Sequence, residues 1–130
     1  MPKIVKTIAP GDIREIPGWE GLELLQAMMA KNDFASLPMY VIENSGRVIA
    51  VAVIDPDYYP LYAKVWCLEV AKDFRGKGYG KWLLTEVLRD FDEVKLCAMR
   101  DAFGFYRSVG FRFTEDPDPK SNVGYMVSQT

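Results

Sequence analysis

No histidine occurs among the 130 residues. That excludes Ser-His and Cys-His nucleophile pairs and most zinc sites. It leaves carboxylates, Tyr, Lys and Cys as the side chains able to move a proton. Only two cysteines occur, Cys67 and Cys97, each inside an apolar run of strand length. Both are expected as free, buried thiols of a reducing compartment rather than as a disulfide framework. No apolar run approaches the length of a membrane span, and the N-terminal "MPKIVKTIAPGD" lacks the apolar core of a signal peptide. The expected location is therefore the cytoplasm. A strong charge of either sign is missing too. The formal net charge of −2 argues against a chain built to hold nucleic acid or an anionic membrane.

What is present is a globular composition. Hydrophobic residues make up 49% of the chain, enough for one packed domain over residues 1–130. "KIVKTIA" (3–9) alternates and reads as a strand. "GWEGLELLQAMMAKN" carries Trp19, Leu22, Leu25, Met28 and Met29 at helical spacing, with Asn32 as its stop. "LPMYVIEN" (37–44) and "RVIAVAVID" (47–55) read as strands joined by the hairpin signal "SG". "DPDYYP" (55–60) reads as a loop and "YAKVWCLEVA" (62–71) as a long strand. A helix with the stripe Leu83, Leu84, Val87, Leu88 and Phe91 follows, then the strand "EVKLCAM" (93–99). Asp101 reads as the cap of a helix bearing Ala102, Phe105, Tyr106 and Val109, stopped by Gly110. "FRFTE" and "VGYMVSQ" read as a closing antiparallel pair. A helix between strands 62–71 and 93–99 implies a parallel crossover, and the other connections imply antiparallel pairing. The expected class is α/β (α+β), with a mixed, mostly antiparallel central sheet flanked by helices.

"FRGKGYGKWLL" (74–84) does not fit a plain helix start. Three glycines stand where a helix begins, and each weakens a helix by about 1 kcal/mol relative to alanine. A strand–glycine turn–helix unit instead aims backbone N–H groups and the helix dipole at an anion, with Arg75, Lys77 and Lys81 adding charge. The nucleotide-binding patterns do not match. Trp82 follows Lys81 where a Walker loop needs Ser or Thr, and the dinucleotide spacing of glycines fails.

Arg75-Gly76-Lys77-Gly78-Tyr79-Gly80, read as R-x-x-G-x-G directly after "LEVAKDF", resembles the acetyl-CoA diphosphate loop of the GNAT family of N-acetyltransferases. Downstream, "AFGFYRSVGF" (102–111) resembles that family's A-x-x-[LF]-Y-x-x-x-G-F segment. Both motifs lie in the family's order on the expected elements. The resemblance covers residues 37–130.

It implies a splayed pair of parallel strands with acetyl-CoA between them and no metal. Leu68, Glu69 and Val70 would meet the pantetheine arm through backbone groups, and Arg75, Gly76, Lys77, Gly78, Tyr79 and Gly80 would hold the diphosphate. A backbone N–H near Leu68 would face the developing oxyanion. Tyr106 would contact the cofactor and act as general acid toward the departing thiolate. Glu69 is a possible general base. The family's earlier base position falls near Lys64, and Glu43, Asp55 and Asp57 are further carboxylates to weigh. Cys97 would face the cleft as an inert thiol. Met99 stands where the family often has Asn, removing an amide contact to pantetheine. The implied reaction is direct acetyl transfer to a primary amine, either a small molecule or a peptide amine, by a monomer or homodimer. The acidic turns "DPDYYP" and "TEDPDPKSN", with Tyr58, Tyr59 and Tyr62, are expected to border the acceptor. The alternative is a non-catalytic acyl-CoA-binding sensor or partner-binding module of the same fold.

Overall fold

The computed structural model describes residues 1–8, 13–31, 37–59 and 62–128, and the side chains of these except 7, 8, 57–59 and 62. Asn32 lies outside the described residues, as do the side chains of Tyr58, Tyr59 and Tyr62. Among the described residues seven strands form one sheet: β1 (Lys3–Ile8), β2 (Met39–Asn44), β3 (Arg47–Tyr59), β4 (Tyr62–Val70), β5 (Val94–Met99), β6 (Phe111–Phe113) and β7 (Val123–Ser128). Their order across the sheet is β1-β2-β3-β4-β5-β7-β6. Only β4 and β5 run parallel; the other neighbours are antiparallel. Three described helices flank the sheet: α1 (Glu23–Lys31), α2 (Tyr79–Asp90) and α3 (Phe103–Val109). No helix among the described residues is long and apolar enough to cross a membrane.

Each face of the sheet is buried by one set of apolar side chains. Leu83, Leu84 and Val87 of α2 pack with Tyr40, Ile42, Ala52 and Leu96 on one face. Leu22 and Leu25 pack on the other with Val41, Val51, Val53 and Cys67. The "SG" hairpin forms as the sequence implies, with Ser45 and Gly46 both at positive φ (55° and 78°).

Three elements differ from expectation. The first helix is interrupted: Trp19–Gly21 form a 3₁₀ turn and α1 starts only at Glu23. The strand β3 runs on through Asp55 to Tyr59, so most of "DPDYYP" is strand rather than loop. And β4 carries a bulge. Val53 pairs with Cys67 and Ile54 with Val65, leaving Trp66 as the extra residue. The bulge reverses the alternation along β4. Ala63 and Val65 face the α2–α3 side before it, Leu68 and Val70 face that side after it, and Cys67 turns to the α1 side.

Candidate active site

The parallel pairing of β4 with β5 covers only Ala63–Val65 against Val94–Leu96. Past the bulge at Trp66 the two strands continue without pairing, and a gap opens. A cavity of about 220 Å³ occupies it, walled by Trp66, Leu68, Leu96, Ala98, Met99 and Tyr106 among others. A larger groove of about 610 Å³ runs from Arg75 and Gly78 along Val70 to Phe105 and Tyr106. Leu68, Asp101, Ala102 and Tyr106 wall both spaces, which makes them one continuous cleft.

Backbone groups face this cleft by register. Ala71 N–H donates to the Ile49 carbonyl at 2.8 Å, so Ile49/Ala71 and Val51/Glu69 are the positions that exchange hydrogen bonds between β3 and β4. Antiparallel alternation turns the N–H and C=O of Leu68 and Val70 the other way, toward the space β5 has left. At the end of β4 the Arg75 Nε donates to the Val70 carbonyl at 2.9 Å, which fixes the guanidinium at the head of the groove.

The glycine turn has the conformation an anion cradle needs. Gly76 has φ 78° and Gly78 has φ 87°, and Gly78 sits at the N-cap of α2. A Cβ at either position would meet nothing within 4 Å, so glycine is required there by backbone angle and not by crowding. Gly80 differs: its Cβ would lie 3.4 Å from Phe105 Cζ, because α2 and α3 pack closely there. The first-turn amides of α2 have no intrahelical partner and open on the groove. Gly76, Tyr79 and Lys81 share its wall, whereas Lys77 places its ammonium 5.6 Å from the Phe74 ring.

Tyr106 stands at the junction. Its ring packs edge-on against Phe105 and Phe111, at centroid distances of 5.1 and 5.8 Å. Burial, with a smaller contribution from nearby Cys67, pushes its phenol up to about 12, so it carries its proton at neutral pH. Among the described residues none hydrogen-bonds its hydroxyl, and Tyr106 lines both spaces.

Glu69 requires a correction. Its side chain does not wall either space. The Trp66 bulge turns it to the α1 side, where it is 6% exposed. There its carboxylate accepts the N–H groups of Leu24 (3.0 Å) and Leu25 (2.9 Å), capping α1 from another element. Its backbone remains part of β4, but both carboxylate oxygens are committed to the helix. The other carboxylates weighed as bases, Glu43 and Asp55, do not wall the cleft either, and the Asp57 side chain lies outside the described residues. Lys64 stacks its ammonium 3.9 Å from the Trp66 ring centroid.

The cysteines divide. Cys67 is buried, and desolvation pushes its thiol up to about 12. Cys97, expected buried, is exposed on the wall of the gap. On β5, Val94, Leu96 and Ala98 face the α2–α3 core. Cys97 and Met99 face the other side, where the described cluster under α1 takes no residue from β5. Met99 is 57% exposed there.

The two acidic turns separate as well. Tyr59 pairs with Tyr62 beside the segment where β4 still pairs with β5, so residues 55–59 of "DPDYYP" lie at the closed end and not at the mouth. The β6–β7 connection lies at the open end. Arg100, just past β5, holds it by donating Nε to Ser121 O (2.8 Å) and Nη2 to Asp118 O (2.9 Å).

One residue in the cleft was read from sequence as something else. Asp101 lies in a 3₁₀ turn (Arg100–Ala102); α3 starts after Ala102 and receives no side-chain cap. Asp101 instead walls the groove and the gap together. Its Ser/Asp-type position before a helix has a sufficient local explanation in capping, which is why the sequence carries no other signal for it.

Comparison with known proteins agrees with this geometry. The chain is 26% identical over 110 residues to the uncharacterized N-acetyltransferase ycf52 of Gracilaria tenuistipitata var. liui, a match covering 78% of this chain and 58% of that protein's length. Its fold superimposes on PaiA N-acetyltransferase of Thermoplasma acidophilum, solved in complex with coenzyme A, at a TM-score of 0.73 and 16% identity over 100% of this chain and 99% of that one. It superimposes equally on the ribosomal-protein-S18-alanine N-acetyltransferase of Escherichia coli, at a TM-score of 0.73 and 16% identity over 98% and 93%. The family model "Acetyltransferase (GNAT) domain" matches residues 35–113, a span that holds β2 through β6, the glycine turn and Tyr106. With more than half of its length inside that match, the chain belongs to the GNAT family of acetyltransferases.

Proposed function

We propose that the protein transfers an acetyl group from acetyl-CoA directly to a primary amine, on a small molecule or a peptide. The observation that carries this reading is the continuity of the cleft: an anion cradle at one end, a gap through the sheet at the other, and the Tyr106 hydroxyl at the junction. In this reading Arg75 and the amides from Gly76 to Gly80 hold the diphosphate. The outward C=O of Leu68 and N–H of Val70 pair with the pantetheine arm as an added strand would. The Leu68 N–H also stabilises the charge that develops on the thioester oxygen. Tyr106 gives its proton to the departing sulfur and regains one from solvent. Cytoplasmic location, a monomeric or homodimeric state and the absence of nucleic-acid or membrane partners belong to the same proposal, supported by the near-balanced charge.

Met99 at the family's Asn position, together with the commitment of Glu69 to α1, favours a second reading: a module that binds acyl-CoA without turning it over. Thiol release from acetyl-CoA across a panel of small-molecule and peptide amines separates the two. Amine-dependent release at multiple turnovers is expected. Tight CoA binding with no release under any amine would leave the sensor reading standing and the enzyme reading refuted.

A further inference from the structure

Resting on the acetyltransfer reading above, we infer that Asp101 is the carboxylate that receives the acceptor's ammonium group and takes its proton. Three observations meet at this residue. Among the described residues Asp101 is the only carboxylate on the walls of either space, and it shares the junction with Tyr106 and Leu68. Its carboxylate forms no hydrogen bond or ion pair with any described residue, and it caps no helix. The carboxylate that family resemblance put nearest, on Glu69, is occupied by α1.

The chemistry needs such a group. A primary alkylammonium resembles a lysine side chain, so only about one molecule in a few thousand is neutral at pH 7. The rest of the inner wall offers little to a cation, because Leu24, Leu96 and Met99 are aliphatic and the Trp66 ring already carries the Lys64 ammonium. An ammonium entering that space finds its counter-charge at Asp101. Titratable or charged groups sharing the walls are Tyr106, Cys67 and Cys97 in the gap and Tyr79, Arg75 and Lys81 in the groove. Arg75 and Lys81 are cationic and repel an ammonium; Tyr106 and Cys67 are held protonated by burial.

The step balances. One ammonium proton passes to Asp101 and on to solvent, the amine nitrogen forms the N–C bond, and the C–S bond breaks. The thiolate takes the Tyr106 proton, the second nitrogen proton also leaves to solvent, and Tyr106 regains one from solvent. One proton is released per acetyl group moved.

The test compares wild type, Asp101→Asn and Asp101→Glu with two acceptor types at saturating acetyl-CoA. One is an alkylamine that is protonated at the assay pH. The other is methoxyamine, which is neutral there. Asp101→Asn is expected to lower kcat/KM for the alkylamine by on the order of 10²–10³-fold. It should cost methoxyamine less than about tenfold and leave CoA binding and Tm close to wild type, since Asp101 is exposed and unpartnered. Raising the pH should narrow the gap between Asp101→Asn and wild type, and Asp101→Glu should recover part of the loss. Wild-type kcat/KM in Asp101→Asn overturns the inference. So does an equal loss for both acceptor types, or a loss confined to CoA affinity. A wild-type protein that releases no thiol with any amine overturns the acetyltransfer reading itself, and this inference with it.

Discussion

Tyr106 both packs and faces the cleft, and removal of one oxygen separates the two. Tyr106→Phe keeps the ring against Phe105 and Phe111. As general acid, its loss should lower kcat on the order of 10²–10⁴-fold with CoA affinity nearly unchanged. A thioester with a more acidic thiol should suffer less. Wild-type kcat in the Phe variant, measured where chemistry limits the rate, would remove Tyr106 from the reaction. Glu69 makes the opposite prediction. Glu69→Ala strips two charge-assisted hydrogen bonds from the start of α1 at a buried position. The expected cost is about 2–3 kcal/mol, a Tm drop on the order of 10 °C, with Glu69→Gln losing less. Turnover measured well below the new Tm should stay within a few-fold of wild type; a loss of several orders of magnitude would restore Glu69 as the base. The place of Tyr106 on the cleft wall was legible in sequence because the family segment it resembles, "AFGFYRSVGF", is contiguous. Glu69 was misread because its direction depends on a bulge one strand-turn away.

The glycine turn and α2 form the element on which the cofactor reading stands. Gly78 holds φ 87° at the N-cap, so any side chain there is strained by roughly 1–2 kcal/mol. Gly78→Ala imposes that strain alone, and Gly78→Asp adds a carboxylate facing the proposed diphosphate. CoA at about 100 times its Kd stabilises a protein by roughly 2.7 kcal/mol. That thermal shift should survive in part in Gly78→Ala and disappear in Gly78→Asp. A full shift in the Asp variant would place the diphosphate elsewhere. The turn, α2 and the β2–β3 hairpin could be read directly, since each rests on contiguous residues: R-x-x-G-x-G, the Leu83–Leu84–Val87 stripe, the "SG" pair. The Trp66 bulge could not. Nothing in "YAKVWCLEV" distinguishes nine regular residues from a strand that reverses phase in its middle, because the reversal is set by pairing with β3. The extension of β3 through Pro56 was hidden likewise, since Asp-Pro normally signals a turn.

At the scale of the whole molecule, stability should fall on the alkaline side. Cys67 and Tyr106 are held protonated in the fold, each up to about 12, chiefly by burial, and Tyr40 is raised further by burial and its hydrogen bond to Asp90 (2.6 Å). The unfolded chain loses these protons first, from about pH 9 for the thiol and pH 10 for the phenols. Their stabilising contribution is therefore complete below pH 9 and lost as pH rises through 12. Tm should decline over that window, and Cys67→Ala, though less stable at neutral pH through its cavity, should decline less steeply. A flat Tm profile to pH 11 would contradict the burial of these groups. The whole molecule also decides where charge lies: "DPDYYP" and "TEDPDPKSN" look alike in sequence, but the register of β3 and β7 puts them at opposite ends of the β4–β5 pair. The most direct test of the central claim is a crystal structure of the protein with coenzyme A. The expected result places the diphosphate on the Arg75–Gly80 turn, the pantetheine along Leu68 and Val70, and the sulfur in the gap within hydrogen-bond reach of the Tyr106 hydroxyl. Coenzyme A bound outside this cleft, or with its sulfur remote from Tyr106, would contradict it.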